Sequence, residues 1–193
     1  MNPVVQLNDE FQGIGNFLMG HNEISMFNDL NKNFRKTLLL AAGSYFENRL
    51  TNILIEFAKQ KSNGNLLLAT FIEKQAINKK YHTLFSWGGT DDPNNPGKSA
   101  KQFFKLFGDE FALEIDKELK QKPGESPEDI ERRNKVDISI RAFIEIGHLR
   151  NILVHSNFAA YNYEQKTTDE IFTLFNNAEP FLDYVAQKLE IVN

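Results

Sequence analysis

Between Leu39 and Phe57 the apolar residues Leu39, Ala42, Phe46, Leu50, Ile53 and Phe57 recur with gaps of 3, 4, 4, 3 and 4. At about 3.6 residues per turn those gaps keep all six on one stripe, and no strand reproduces that period. The spacing predicts a long helix over about 28 to 59. Ser62-Asn63-Gly64-Asn65 ends it with turn chemistry, and a shorter helix is expected from 66 to 78. Trp87-Gly88-Gly89-Thr90-Asp91-Asp92-Pro93-Asn94-Asn95-Pro96-Gly97 then reads as loop within Phe85 to Gly97.

Helical pattern resumes over about 98 to 119 and breaks at Lys122-Pro123-Gly124. Ser126-x-x-Asp129, with Pro127 at the first helical position, opens a further helix. Val136, Ile140, Phe143 and Gly147 carry its buried face toward an end near Leu153. Ser156 to Lys166 reads as a connection, and the capping box Thr167-x-x-Glu170 opens the last helix, which Pro180 is expected to kink or split. No strand alternates convincingly and no internal repeat is present. The expected architecture is all-α: a single domain over 1–193, with a looser insertion at about 62–125 and a core drawn from the 17 Phe.

Several chemistries are excluded by residues that are missing. With no Cys there is no disulfide, thiolate metal site or cysteine nucleophile. The first twelve residues have neither the basic nor the apolar region of a signal peptide. The longest purely apolar run, Leu38 to Ala42, falls far short of the roughly 20 residues a membrane helix needs. The expected location is the cytoplasm, away from the membrane. Pro96-Gly97-Lys98-Ser99 looks like the end of a phosphate-binding loop, but Asp92 occupies the position of the required first Gly. Gly13, Gly15 and Gly20 have the wrong spacing for a dinucleotide fold. No His-x-x-x-His, His-Glu-x-x-His or calcium-loop pattern occurs, so no metal and no cofactor is expected.

Charge adds a constraint. Lys plus Arg is 22 and Asp plus Glu is 26, a net −4, which argues against coating nucleic acid through bulk positive charge. The charge is uneven, however. Lys59 to His82 holds five Lys against Glu73, or +4, whereas Glu164 to Asn193 holds two Lys against six acids, or −4. Lys79, Lys80, Tyr81 and His82, close to Phe85 and Trp87, are candidate RNA-binding residues. The competing reading of that stretch is a solvated helix face beside an aromatic lid.

The window Ile146 to Tyr163, IGHLRNILVHSNFAAYNY, carries one formally charged residue, Arg150, and two of the four His. Arginine keeps its charge and suits phosphate. Histidine exchanges protons near neutrality, and asparagine can orient an imidazole by a hydrogen bond. Arg150, Asn151 and His155 are thus the components of metal-free phosphodiester chemistry. On an ideal helix Asn151 and His155 lie about 40° apart, whereas Arg150 and His155 lie about 140° apart. Either the helix unwinds before His155 or the site is shared between two subunits. His148 and His155, about 10 Å apart by helical rise, cannot grip one metal without a third element. Each residue also has a structural reading. His155 suits a helix C-terminus, Arg150 could pair with Glu145 or Glu47, Asn151 could be a helix-end polar residue, and His148 could be structural.

Arg150-Asn151-Ile152-Leu153-Val154-His155 resembles the R-x4-6-H motif, with a polar residue after the Arg, of the HEPN superfamily. The helix Leu38-Leu39-Leu40-Ala41-Ala42-Gly43-Ser44-Tyr45-Phe46-Glu47 is similar to the Leu/Ala-rich helix with an acidic residue in the RiboL-PSP-HEPN branch. The resemblance covers roughly 30–60 and 130–190. It implies a HEPN-like helical bundle and a metal-independent endoribonuclease of the toxin or defence type. It further implies RNA as substrate, a homodimer with facing motifs, and an antitoxin or regulatory partner. Arg150, Asn151 and His155 would be catalytic, with Glu47 and His148 in support. Relatives silenced by nucleotide transfer often have Tyr two residues after the His. That position here is Asn157, so control of that kind is not expected. The alternative is a non-catalytic HEPN-like module binding nucleotide or protein, and a third reading is a purely structural helical adaptor.

Overall fold

The computed structural model describes residues 2–77, 100–156, 158 and 163–191. Its first helix is one the periodicity argument passed over. The Asn2 side chain accepts from the Val4 amide at 2.9 Å and Pro3 occupies the first turn, opening α1 (Pro3–Gly20). The signal was present in Asn2-Pro3 and in the spacing of the buried Val4, Asn8, Phe11 and Gly15. Phe11 then stacks on Phe34 of the next helix, with ring centroids 3.9 Å apart.

That next helix, α2 (Ile24–Lys61), has 38 residues and spans about 57 Å. Leu39, Ala42, Phe46 and Leu50 of the expected stripe are buried, while Ile53 and Phe57 are half-buried against the same core. The chain turns through Asn63 and Gly64, both at positive φ, into α3 (Leu66–Ile72), whose N-cap Asn65 accepts from the Leu68 amide. A π-helical turn over Glu73–Ile77 follows. The expected loop at Phe85 to Gly97, together with Lys79, Lys80, Tyr81 and His82, lies outside the described residues.

The helix expected over 98–119 is two helices. α4 (Lys101–Phe104) runs into a 3-10 turn, and Gly108 separates it from α5 (Asp109–Leu119). Gly108 has φ 121° and ψ 149°, a conformation open essentially to glycine alone, so the backbone breaks where side-chain periodicity suggests continuity. Phe103, Phe104, Ala112 and Ile115 join the main core.

α6 (Pro127–His155) begins as anticipated, with the Ser126 side chain accepting from the Asp129 amide, but ends two residues later than expected. α7 (Thr168–Lys188) begins with the complete Thr167–Glu170 capping box. The Thr167 amide and hydroxyl hold the Glu170 carboxyl below the usual carboxylate range. Pro180 does not split α7, which continues to Lys188. The carbonyl that Pro180 leaves without an amide belongs to Asn176, on the exposed side, where water can serve it. Ile171, Phe175, Ala178, Phe181, Leu182 and Val185 meanwhile anchor both halves in the core.

α6 and α7 pack most extensively on each other, α2 packs across both, and α1 lies on α2. Phe46, Phe143, Phe175 and Phe181 interlock at their junction, with neighbouring ring centroids 4.9–5.3 Å apart. Among the described residues there is no strand, so the fold is an all-α helical bundle. No helix among them is long and apolar enough to cross a membrane.

Candidate active site

α6 stays helical through His155, so the first of the two geometric options does not occur. The Ser156 amide donates to the Leu153 carbonyl at 3.3 Å and its hydroxyl to the Ile152 carbonyl at 2.7 Å, closing the last turn from outside. Arg150 and His155 therefore sit on one continuous helix, about 140° apart around its axis.

Arg150 faces α2. An ideal Cβ on Gly43 would lie 2.8 Å from the Arg150 Cγ and 3.2 Å from its Cβ, so the arginine stem runs directly over the glycine. One turn further along α2, Glu47 receives the guanidinium: Nη2 donates to Glu47 Oε2 at 3.0 Å, and Nη1 donates to Asn151 Oδ1 at 3.2 Å. Both members of the ion pair are largely enclosed, with side chains 21% and 13% exposed. Arg150 Nε is also buried, with no acceptor among the described residues. Of the two carboxylates open to Arg150 from sequence, Glu47 is the partner, because Glu145 pairs with Lys166 at 2.7 Å. Arg150, Asn151 and Glu47 thus form one interlocked cluster.

His155 is not part of it. Its side chain is exposed and hydrogen-bonds to no described residue, and Val154 beside it is 50% exposed. Asn151 is one turn from His155, yet its side-chain oxygen serves Arg150. His148 is half-buried and shares the Asn151/His155 side of α6, about 20° from His155 in projection. The helix therefore presents an imidazole face and, around its circumference, an anchored guanidinium.

Two residues escaped the sequence reading. Gly43 permits the close approach of α2 and α6. Lys36, on the same stripe of α2, is 3% exposed, and its Nζ donates to the Phe158 carbonyl at 2.9 Å. The signal for both was their spacing of 4 and 11 residues from Glu47, which places all three on one helical face. A separate cavity of about 520 Å³, lined by Glu118, Arg133, Tyr184 and Lys188 among others, involves none of the candidate residues. Among the described residues no group of His, Asp and Glu has the arrangement of a metal site.

The Gly43 contact gives a direct test of the cluster. Gly43→Ala should destabilise the fold by about 1–3 kcal/mol, because the added methyl forces the Arg150 stem or the helix itself outward. Chemical denaturation measures it, and an unchanged midpoint would show that the stem moves freely.

A model of the RiboL-PSP-HEPN family matches residues 6–190. The match takes in α1 from Gln6 onward and the whole segment between the two stretches that carried the sequence resemblance. No curated protein and no solved structure matches the chain significantly.

Proposed function

The chain belongs to the RiboL-PSP-HEPN family, and from that premise we propose that it is a metal-independent endoribonuclease acting at the C-terminal end of α6. HEPN domains are often nucleases, and the observation that supports this activity here is the presentation of the motif. His155 stands exposed as the last helical residue, while Arg150, five residues earlier, is held by Glu47 and Asn151. An exposed imidazole can reach a substrate proton, and a pre-ordered guanidinium can meet charge without reorganising.

In this reading His155 takes the proton of a ribose 2′-hydroxyl as its oxygen attacks the adjacent phosphorus. The bond to the 5′-oxygen breaks, and that oxygen leaves with a proton from an imidazolium. The products are a 2′,3′-cyclic phosphate and a 5′-hydroxyl. Arg150 stabilises the negative charge that builds on the phosphate oxygens, with Asn151 holding the guanidinium in place. DNA resists because it lacks the nucleophile. Because Arg150 and His155 diverge on one helix, the working site is formed by two copies of the chain, the Arg150 of one acting with the His155 of the other. In this reading an antitoxin or regulatory protein is the partner that would restrain such an effector.

Purified protein is expected to cut RNA in excess EDTA and leave cyclic-phosphate ends. A requirement for a divalent metal, or 3′-hydroxyl products, would sink the mechanism. One observation favours a second reading. Arg150 is already engaged by Glu47 in a largely enclosed pair, as a structural arginine would be, and a non-catalytic HEPN module would bind RNA or nucleotide without cleaving it.

A further inference from the structure

Lys36 is a buried cation that the cleavage scheme does not use. It is 3% exposed, and no carboxylate among the described residues pairs with it. Its ammonium donates to the Phe158 carbonyl at 2.9 Å and lies 4.6 Å from the centroid of the Phe158 ring. Enclosing an ammonium is costly unless its surroundings compensate. The compensation here comes from a carbonyl and a π face, both of Phe158. An apolar side chain would fill the same space without the desolvation, so the charge is explained by what it holds.

What it holds is the exit from the motif. Phe158 is the third residue after His155, and Ser156 between them caps α6. Lys36 is seven residues from Gly43 and eleven from Glu47, so the three lie within about 20° of one line along α2. One face of α2 thus grips the end of α6 twice, at Arg150 through Gly43 and Glu47 and beyond His155 through Lys36. We propose that Lys36 is the positioning residue of His155: its ammonium pins the Phe158 carbonyl, fixing the path on which the chain leaves α6 and so the placement of the exposed imidazole on the last turn. The proposal rests on the reading of His155 as the proton-transfer group.

Lys36→Met keeps the length of the side chain and removes its charge, and Lys36→Arg restores a cationic donor. Amide hydrogen exchange of the whole chain reads the clamp without reference to activity. In Lys36→Met the amides of 156–158 should exchange about tenfold faster while those of the α2 and α6 interior keep their protection, because only a local opening is affected. Lys36→Arg should stay close to wild type. In RNA cleavage, Lys36→Met should lower kcat by about 10- to 100-fold, as a small misplacement of a reacting group does, with KM within about twofold. Lys36→Arg should recover most of that loss. Unchanged exchange in Lys36→Met overturns the clamp, and a rise in KM at constant kcat overturns the positioning role in favour of substrate binding. If wild type cuts no RNA, the ribonuclease reading fails and the exchange result alone decides whether Lys36 holds the exit. Should Lys36→Met not fold, Lys36→Leu, likewise without charge or donor, carries the same comparison.

Discussion

His155→Ala should lose RNA cleavage by about 10²- to 10⁴-fold, the range in which general acid–base catalysis contributes, while its melting behaviour stays that of the wild type. The structure separates the two effects. The side chain is exposed and hydrogen-bonds to no described residue, so truncating it orphans no partner among the described residues. Its contribution to the fold is limited to a favourable charge at a helix C-terminus, about 0.3–1 kcal/mol when protonated. Cleavage within threefold of wild type would remove His155 from the chemistry. Retained RNA binding with no cleavage by either protein would favour the non-catalytic module.

Arg150→Ala is a less decisive experiment for a reason visible in the packing. Its stem lies over Gly43 and its guanidinium supplies a partner to Glu47 in a pair only 21% and 13% exposed. Removing it opens space between α2 and α6 and leaves a largely enclosed carboxylate short of one cation, at about 1–3 kcal/mol. Loss of activity in that variant therefore mixes chemistry with folding. Arg150→Lys keeps a cation and most of the stem while removing the planar fork, and so confines the change to the guanidinium.

Legibility from sequence followed the range of the interactions. The stripe from Leu39 to Phe57, the Ser126–Pro127 start and the Thr167–Glu170 box are set within a turn or two of the chain, and each forms where its residues direct. Pro180 does not end the helix, because its local penalty falls on a carbonyl on the exposed side while tertiary packing holds both halves. Gly108 is the opposite case, since a positive φ leaves no mark on side-chain periodicity. In the candidate site, Arg150, Asn151 and His155 stood out as a cluster of suitable groups in a nearly uncharged window. The choice between Glu47 and Glu145 as partner is a matter of helix packing, which spacing along one helix cannot decide. For Lys36 the only mark in the sequence is its place on the Gly43–Glu47 face of α2, which does not reveal burial. It ends a run containing Asp29, Lys32 and Arg35, in which a lysine reads as one more solvated charge, whereas the folded chain buries it against Phe158.

The largest gain of function should come from mixing two impaired proteins. On one uninterrupted helix Arg150 and His155 diverge by about 140°, so no single copy of α6 turns both toward one phosphate. If two chains related by a twofold axis build the site, each composite centre takes Arg150 from one and His155 from the other. Arg150→Lys should lose about a hundredfold in cleavage, as expected when a donor to developing charge is lost, and His155→Ala more. When the two are unfolded together, refolded and assayed, half of the dimers are mixed, and each mixed dimer keeps one centre with both native groups. Activity should return to about a quarter of wild type. Without subunit exchange the same mixture should stay at the level of its parts, which shows that the recovery belongs to the mixed dimer. No recovery after exchange, with mixed dimers demonstrated, would mean that both groups of one chain act together after all. α6 would then have to unwind between Arg150 and His155 on binding RNA, breaking the cap that Ser156 places on its last turn.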